Sequence, residues 1–142
     1  MFDAQTNQTV CPVDLDTTMP GYYFSDLGDM IRTMSCTIGE NDVDWEKIGI
    51  KKSVYKAITD GYLAGMKDAF TAEELRNLHY SGLALVYMQS LRFVTDYLNN
   101  DIYYKISYEE QNLNRALNQL VLLERLEEFL AKEYRYTEPL EK

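Results

Sequence analysis

Two aspartates set two positions apart, Asp14 and Asp16, offer the first chemistry in this chain of 142 residues. They stand in the run Val13-Asp14-Leu15-Asp16-Thr17-Thr18-Met19-Pro20-Gly21. Val10, Val13 and Leu15 are strand-type residues, Thr17 and Thr18 prolong the β-prone run, and Pro20-Gly21 ends it. Side chains alternate along a strand, so Val13 and Leu15 are expected on one face and both carboxylates on the other, roughly 6–7 Å apart. Like charges that close call for a cation, hydrogen-bond donors or water. Hard oxygen ligands at a strand end suit Mg²⁺, above all when phosphate oxygens complete its shell. Two solvated acids at the end of an edge strand give the same pattern, and a bare D-x-D does not separate the two readings.

Asp26 and Asp29 follow shortly after, in Ser25-Asp26-Leu27-Gly28-Asp29. Acids at a helix start satisfy backbone N–H groups and the helix dipole, so these two are expected to shape a site and do no chemistry. Farther along, Arg92 and Asp96 fall one helical turn apart on the same face. The plain reading of that pair is an ordinary i,i+4 ion pair, and that of the nearby Tyr103 is packing under a loop.

The elements that must position these groups change character after residue 24, where the apolar period passes from two to 3.6. Met1 to Asp3 and Val10 to Asp16 read as the arms of a short β-hairpin across a polar turn, with Asp14 at its exposed end and Pro12 confining the second arm to an edge. Ser25 reads as the N-cap of a first helix running to about Thr33 or Met34. Ser35 to Lys47 is a loop pinned by Trp45. Ile50 to Phe70 is helical, with Val54, Tyr55, Ile58, Tyr62, Leu63 and Met66 on one stripe. Thr71 and Glu74 make a capping box. Gly82 is a candidate interruption before a strongly apolar helix from Leu83 to Leu98, which is expected to be central. Ile102 to Tyr108 is irregular or briefly extended. A last helix runs from Leu113 to about Tyr134 and buries Leu113, Ala116, Leu117, Leu120, Leu123, Leu126, Phe129 and Leu130. Thr137 to Lys142 is expected to fray. The expectation is one mainly α domain over residues 1–142, a short N-terminal hairpin followed by a bundle of four to five helices.

Composition narrows the partners. Twenty-three acids against 14 bases give a net charge of -9, which disfavours nucleic acid and anionic membranes. Only two cysteines, Cys11 and Cys36, and no signal peptide point to free thiols in the cytoplasm. No apolar run approaches the roughly 18 residues of a membrane span.

Two families use such a strand end. Asp14, Asp16 and Thr18 match the D-x-D-x-T of the haloacid dehalogenase phosphatases, which implies Asp14 as nucleophile and Asp16 as acid/base. That fold needs further parallel strands, and no βαβ alternation follows residue 30. The second resemblance is longer. Val13-Asp14, Gly21 and Asp26-Leu27-Gly28-Asp29 resemble the metal-aspartate strand end of the aminoglycoside-phosphotransferase-like kinases. The R-F-x-T-D-Y-L-x-x-D-x-Y segment from Arg92 to Tyr103 and the Asn112-Leu113-Asn114-Arg115 helix start extend this to the N-acetylhexosamine 1-kinase type of sugar kinase. The resemblance covers about Phe2 to Phe129. Some members carry the label mucin desulfatase, although no C/S-x-P-x-R sulfatase motif is present here.

The resemblance implies the helical half of a protein-kinase-like C-lobe. It implies that Asp14 binds a Mg²⁺ bridging the phosphates of ATP, and that Asp16 sits beside the sugar or supports the metal shell. Arg92 and Asp96 would contact sugar hydroxyls or the N-acetyl group, with Tyr103 closing the pocket. Paired hydrogen bonds from planar charged groups, together with aromatic faces, are how sugars are read. The family's H-x-D-x-x-x-x-N catalytic loop is missing, because the sole histidine, His79, lies on the wrong side of Asp14. The catalytic loop and the nucleotide lobe are therefore expected upstream of Met1, and this chain alone is expected to be inactive. An apolar surface left for that lobe would favour self-association into a homo-oligomer. A helical interaction module without chemistry is the reading from another class.

Overall fold

The computed structural model describes residues 1–16 and 18–136. Five α-helices follow one another among them: α1 Tyr23–Ser35, α2 Lys52–Met66, α3 Ala72–Arg76, α4 Tyr80–Leu98 and α5 Gln111–Tyr134. Short 3-10 turns occupy Trp45–Lys47 and Lys67–Ala69. No helix among the described residues is long and apolar enough to cross a membrane. The stretch 137–142, expected to fray, and Thr17 lie outside the described residues.

The helices pack α1 on α4, α4 on α5 and α1 on α2. Their apolar stripes meet in one core of Leu27 and Ile31 from α1, Tyr55 from α2, Leu83 and Val86 from α4, and Leu122, Leu126 and Leu130 from α5. Trp45 packs against this core and anchors the α1–α2 loop, as expected. Thr71 caps α3 through the expected box, its hydroxyl accepting from the Glu74 N–H and the Glu74 carboxylate accepting from the Thr71 N–H. On α2, Tyr55 is buried, but Met66 stays 42% exposed, as does Leu120 on α5. Both lie on the solvent margin of their stripes.

The N-terminal β-hairpin does not form. Among the described residues there is no sheet, and the first segment holds one isolated antiparallel bridge, Phe2 to Thr9. Asp3 organises the intervening turn by accepting from the N–H of Thr6 at 2.7 Å. The pairing does not propagate because Pro12 has no N–H to donate. A two-stranded ribbon also needs a packed face to be stable, and Phe2, Val10, Val13 and Leu15 are all more than half exposed.

Two helix starts also differ from the reading. Residue Tyr22, not Ser25, caps α1, without a side-chain bond; Tyr23 and Phe24 extend the helix backward because the Tyr23 ring packs edge-on to Phe70 at 4.9 Å. Gly82 does not interrupt α4, which starts at Tyr80 and runs straight through it. Its missing side chain serves packing instead, since a Cβ there would come within 2.9 Å of Ile31 Cγ2.

Candidate functional site

The C-terminal end of α4 is built around one carboxylate. Asn99, Asn100 and Asp101 stop the helix, the last two in the left-handed region at φ 64° and 56°. Their reversal sends the chain back over Asp96, which is 5% exposed. Asp96 Oδ1 accepts the N–H of Tyr103 at 2.9 Å, and Oδ2 accepts the N–H of Tyr104 at 2.9 Å and Asn112 Nδ2 at 3.0 Å. Asn112, at the start of α5 and fully buried, also donates to Asp101 Oδ1 at 2.8 Å. Its own Oδ1 accepts from Arg115 Nη1 at 2.9 Å. Arg115 continues to Asn41 Oδ1 at 2.7 Å and lies 5.5 Å from the centre of the Phe93 ring. A chain of charge-assisted bonds thus ties the α4–α5 loop to α5 and to the α1–α2 loop.

The loop held in this way closes a groove of about 460 Å³ with the last turns of α4. Arg92, Asp96, Tyr103 and Tyr104 line it, and Met88, Leu91 and Ile102 supply apolar walls. Arg92 is exposed. Its guanidinium lies 5.5 Å from the Tyr104 ring centre and 5.8 Å from that of Tyr103, within cation–π range. Among the described residues no ion pair joins Arg92 to Asp96, so the plain i,i+4 reading does not hold. Asp96 instead turns its oxygens to the N–H groups of Tyr103 and Tyr104 and to Asn112. Tyr103, 73% exposed, presents its ring to the groove and is not packed under the loop. The groove therefore offers a planar donor fork, two aromatic rings and an apolar wall. It can bind a ligand that has both acceptors and an apolar face, with Asp96 holding the walls in place.

Asp14 and Asp16 are not among the residues that line this groove. Both are exposed, and Asp14 sits at φ 64°. The strand alternation that would put the two carboxylates on one face is consequently broken at Asp14. Among the described residues no three His, Cys, Asp or Glu side chains gather to hold a metal ion. Mg²⁺ in phosphoryl-transfer sites uses one or two carboxylates plus phosphate and water oxygens. Asp14 and Asp16 are of the right residue type for that carboxylate share and, with no third such group beside them among the described residues, do not make a whole site.

Asp26 lies in the first turn of α1, where its charge suits the dipole. It lines a different groove, of about 670 Å³, beside Thr18 to Gly21, Tyr62 and Phe70. Asp29 is taken up by Arg32, whose Nε donates to it at 2.9 Å, while Nη1 donates to Glu40 at 2.9 Å. Its role is to fix the end of α1. The Nδ1 of His79 lies 2.7 Å from the Tyr55 hydroxyl of α2, and burial holds its imidazole pKa below the ordinary value.

The structure thus brings three of the expected residues together, Arg92, Asp96 and Tyr103, and leaves Asp14 and Asp16 apart from them. Tyr104, Asn112 and Arg115 were missed as parts of the site. The signal was present for two of them: an Asn and an Arg three apart at a helix start lie on one face and can both reach back to the preceding loop. No family model matches the chain.

Proposed function

We propose that this chain is the acceptor-binding part of a phosphotransferase of the aminoglycoside-phosphotransferase type, which uses ATP and Mg²⁺ to phosphorylate a sugar such as an N-acetylhexosamine. The observation that carries the reading is the convergence of Arg92, Tyr103 and Tyr104 on one groove, with Asp96 buried behind them as the clamp. An arginine fork matches vicinal hydroxyls or an amide carbonyl, and tyrosine rings cover the apolar face of a pyranose. The apolar wall of Leu91 and Ile102 suits a methyl-bearing substituent. In this reading Asp96 orients the pocket and does not touch the sugar. Asp14 takes one carboxylate position on a nucleotide-bound Mg²⁺, with Asp16 beside it. In this reading the groove and the two aspartates supply neither the general base nor the nucleotide clamp.

The purified chain titrated with N-acetylhexosamines tests the reading. Chemical-shift changes should centre on Arg92, Tyr103 and Tyr104. Arg92→Lys should weaken binding about tenfold, because lysine keeps the charge and loses the planar fork. With ATP and Mg²⁺ added, no sugar-dependent ADP should form, since in-line transfer needs acceptor, base and nucleotide held together. Shifts spread over the surface, unaffected by Arg92→Lys, would remove the sugar reading.

One observation favours a second reading, a helical interaction module. Leu98, Ile102 and Tyr103 are 74%, 81% and 73% exposed, and the first segment exposes Phe2, Val13, Leu15, Met19 and Tyr22. Apolar surface on that scale is what interfaces are made of. Light scattering across a concentration series distinguishes the two, a stable homodimer with no sugar response supporting the module. The phosphatase reading has no such support, because the described residues hold no parallel sheet to position Asp14.

A further inference from the structure

The groove of about 670 Å³ that Asp26 lines opens where the segment before α1, the end of α2 and the short α3 meet. Tyr23, Tyr62 and Phe70 supply aromatic walls, and Met66 adds an apolar one. The rings brace one another. Tyr23 packs edge-on to Phe70 at 4.9 Å, and Tyr62 stacks on Phe70 at 6.0 Å with the planes 24° apart. Their hydroxyls are also tied down. Tyr23 donates to the carbonyl of Asn77 at 3.3 Å, and Tyr62 donates to the carbonyl of Tyr23 at 3.5 Å. The aromatic part of the groove is therefore built before any ligand arrives.

The charge of the groove has one sign. Asp26 and Glu74 line it, and no lysine, arginine or histidine does so among the described residues. Asp26 is exposed and makes no hydrogen bond or ion pair among the described residues. The start of α1 does not use its oxygens either, since no side-chain bond caps that helix. Glu74 commits Oε2 to the N–H and hydroxyl of Thr71, both at 2.7 Å, as the partner in the capping box. Its Oε1 makes no bond among the described residues. Each carboxylate stands close enough to a wall ring to act on it. Burial, and then the charge of Asp26, raises the pKa of the Tyr62 hydroxyl; burial, and then Glu74, does the same for Tyr23. Two solvated acids alone would carry no ligand, but acids set against rings make a selective combination. A hard metal ion wants a shell of oxygens, and no three ligating groups gather here. An ammonium group with carbon attached satisfies both halves, its charge meeting the carboxylates and its alkyl part the ring faces.

We propose that this groove binds a small organic cation, an alkylammonium whose nitrogen is met by Asp26 and Glu74 and whose carbon chain lies on Tyr62, Phe70 and Met66. The proposal does not depend on the sugar reading, because none of these residues lines the Arg92 groove.

The test titrates the full chain with butylammonium chloride, with butanol, which keeps the chain and lacks the charge, and with potassium chloride, which keeps the charge and lacks the chain. Backbone amide signals of residues around Asp26, Tyr62 and Glu74 are followed by NMR. Butylammonium should shift them saturably, and at least about tenfold more tightly than butanol or potassium. The double variant Asp26→Asn with Glu74→Gln keeps the shape, and glutamine still serves in a capping box. It should weaken butylammonium binding at least about tenfold while the spectrum stays folded. If that variant does not fold, the comparison of the three probes in the native chain decides. An equal response to potassium would reduce the effect to counterion screening of an acidic surface, and an equal response to butanol would reduce it to apolar contact. Either result, no saturable shift with butylammonium, or an unchanged response in the folded double variant would overturn the proposal.

Discussion

Asp96 shows how far a residue type can be read and where the reading stops. Its place one turn from Arg92 was legible, because helix spacing puts the two on one face. Its partner was not, because the left-handed pair Asn100 and Asp101 turns the backbone N–H groups of Tyr103 and Tyr104 onto the carboxylate. Nothing in local propensity dictates where that turn aims. The consequence is a stability role that can be measured. Asp96→Ala leaves two backbone N–H groups and the Asn112 amide without their acceptor, and should cost about 2–4 kcal/mol in chemical denaturation. Arg92→Ala, on an exposed side chain, should cost less than about 0.5 kcal/mol. Equal losses for the two would mean that the carboxylate does not clamp the loop. Asp14 is the opposite case. Its residue type was read correctly as hard and anionic, but its strand was read from Val13 and Leu15, which find no neighbour to bury them.

Among the elements, the helices were legible and the strand was not, for one physical reason. An α-helix closes its hydrogen bonds locally, so the 3.6-residue stripe of α4 and α5 nearly suffices to place them. A strand needs a partner, and the first segment gains only one bridge. What the stripe could not reveal is how closely the helices approach. A Cβ on Gly28 would stand 2.3 Å from the backbone oxygen of Ser81, and so α1 crosses α4 with backbone nearly touching backbone. In contrast, Gly61, inside α2, has nothing within 4 Å of its would-be Cβ. The same substitution should therefore have opposite signs at the two positions. Gly28→Ala should destabilise by about 2–3 kcal/mol or more, since backbone must shift. Gly61→Ala should stabilise by about 0.5–1 kcal/mol, as alanine is the better helix former and meets no obstacle. Thermal melts of the two variants check both signs.

The whole molecule is held shut at one end by an aromatic cluster that no single element reveals. Tyr55 of α2 meets His79 before α4, and Phe129 and Tyr134 of α5 pack on them with ring centres 4.5–5.9 Å apart. Burial lowers the His79 pKa, so the folded chain prefers the neutral imidazole. As the unfolded chain then binds more protons, stability is full above the unfolded pKa near 6.5 and falls as pH drops through it toward the folded value. The melting temperature should decline between about pH 7 and pH 5. That decline should be shallower in His79→Gln, measured against the native chain in the same buffers; parallel curves would assign it to the carboxylates. The clamp on Asp96 and this cluster also differ in how much chain each must close. The Asp96 bonds span 7, 8 and 16 residues, whereas the Tyr55–His79 bond spans 24, and the contact of Tyr55 with Tyr134 joins α2 to the last turn of α5. Short closures lose less chain entropy and reach the folding barrier first. The α4–α5 hairpin should thus be the nucleus on which the rest condenses. Weakening Asp96 should slow refolding, and weakening Tyr55 should instead hasten unfolding, a division that stopped-flow rates of the two variants would show.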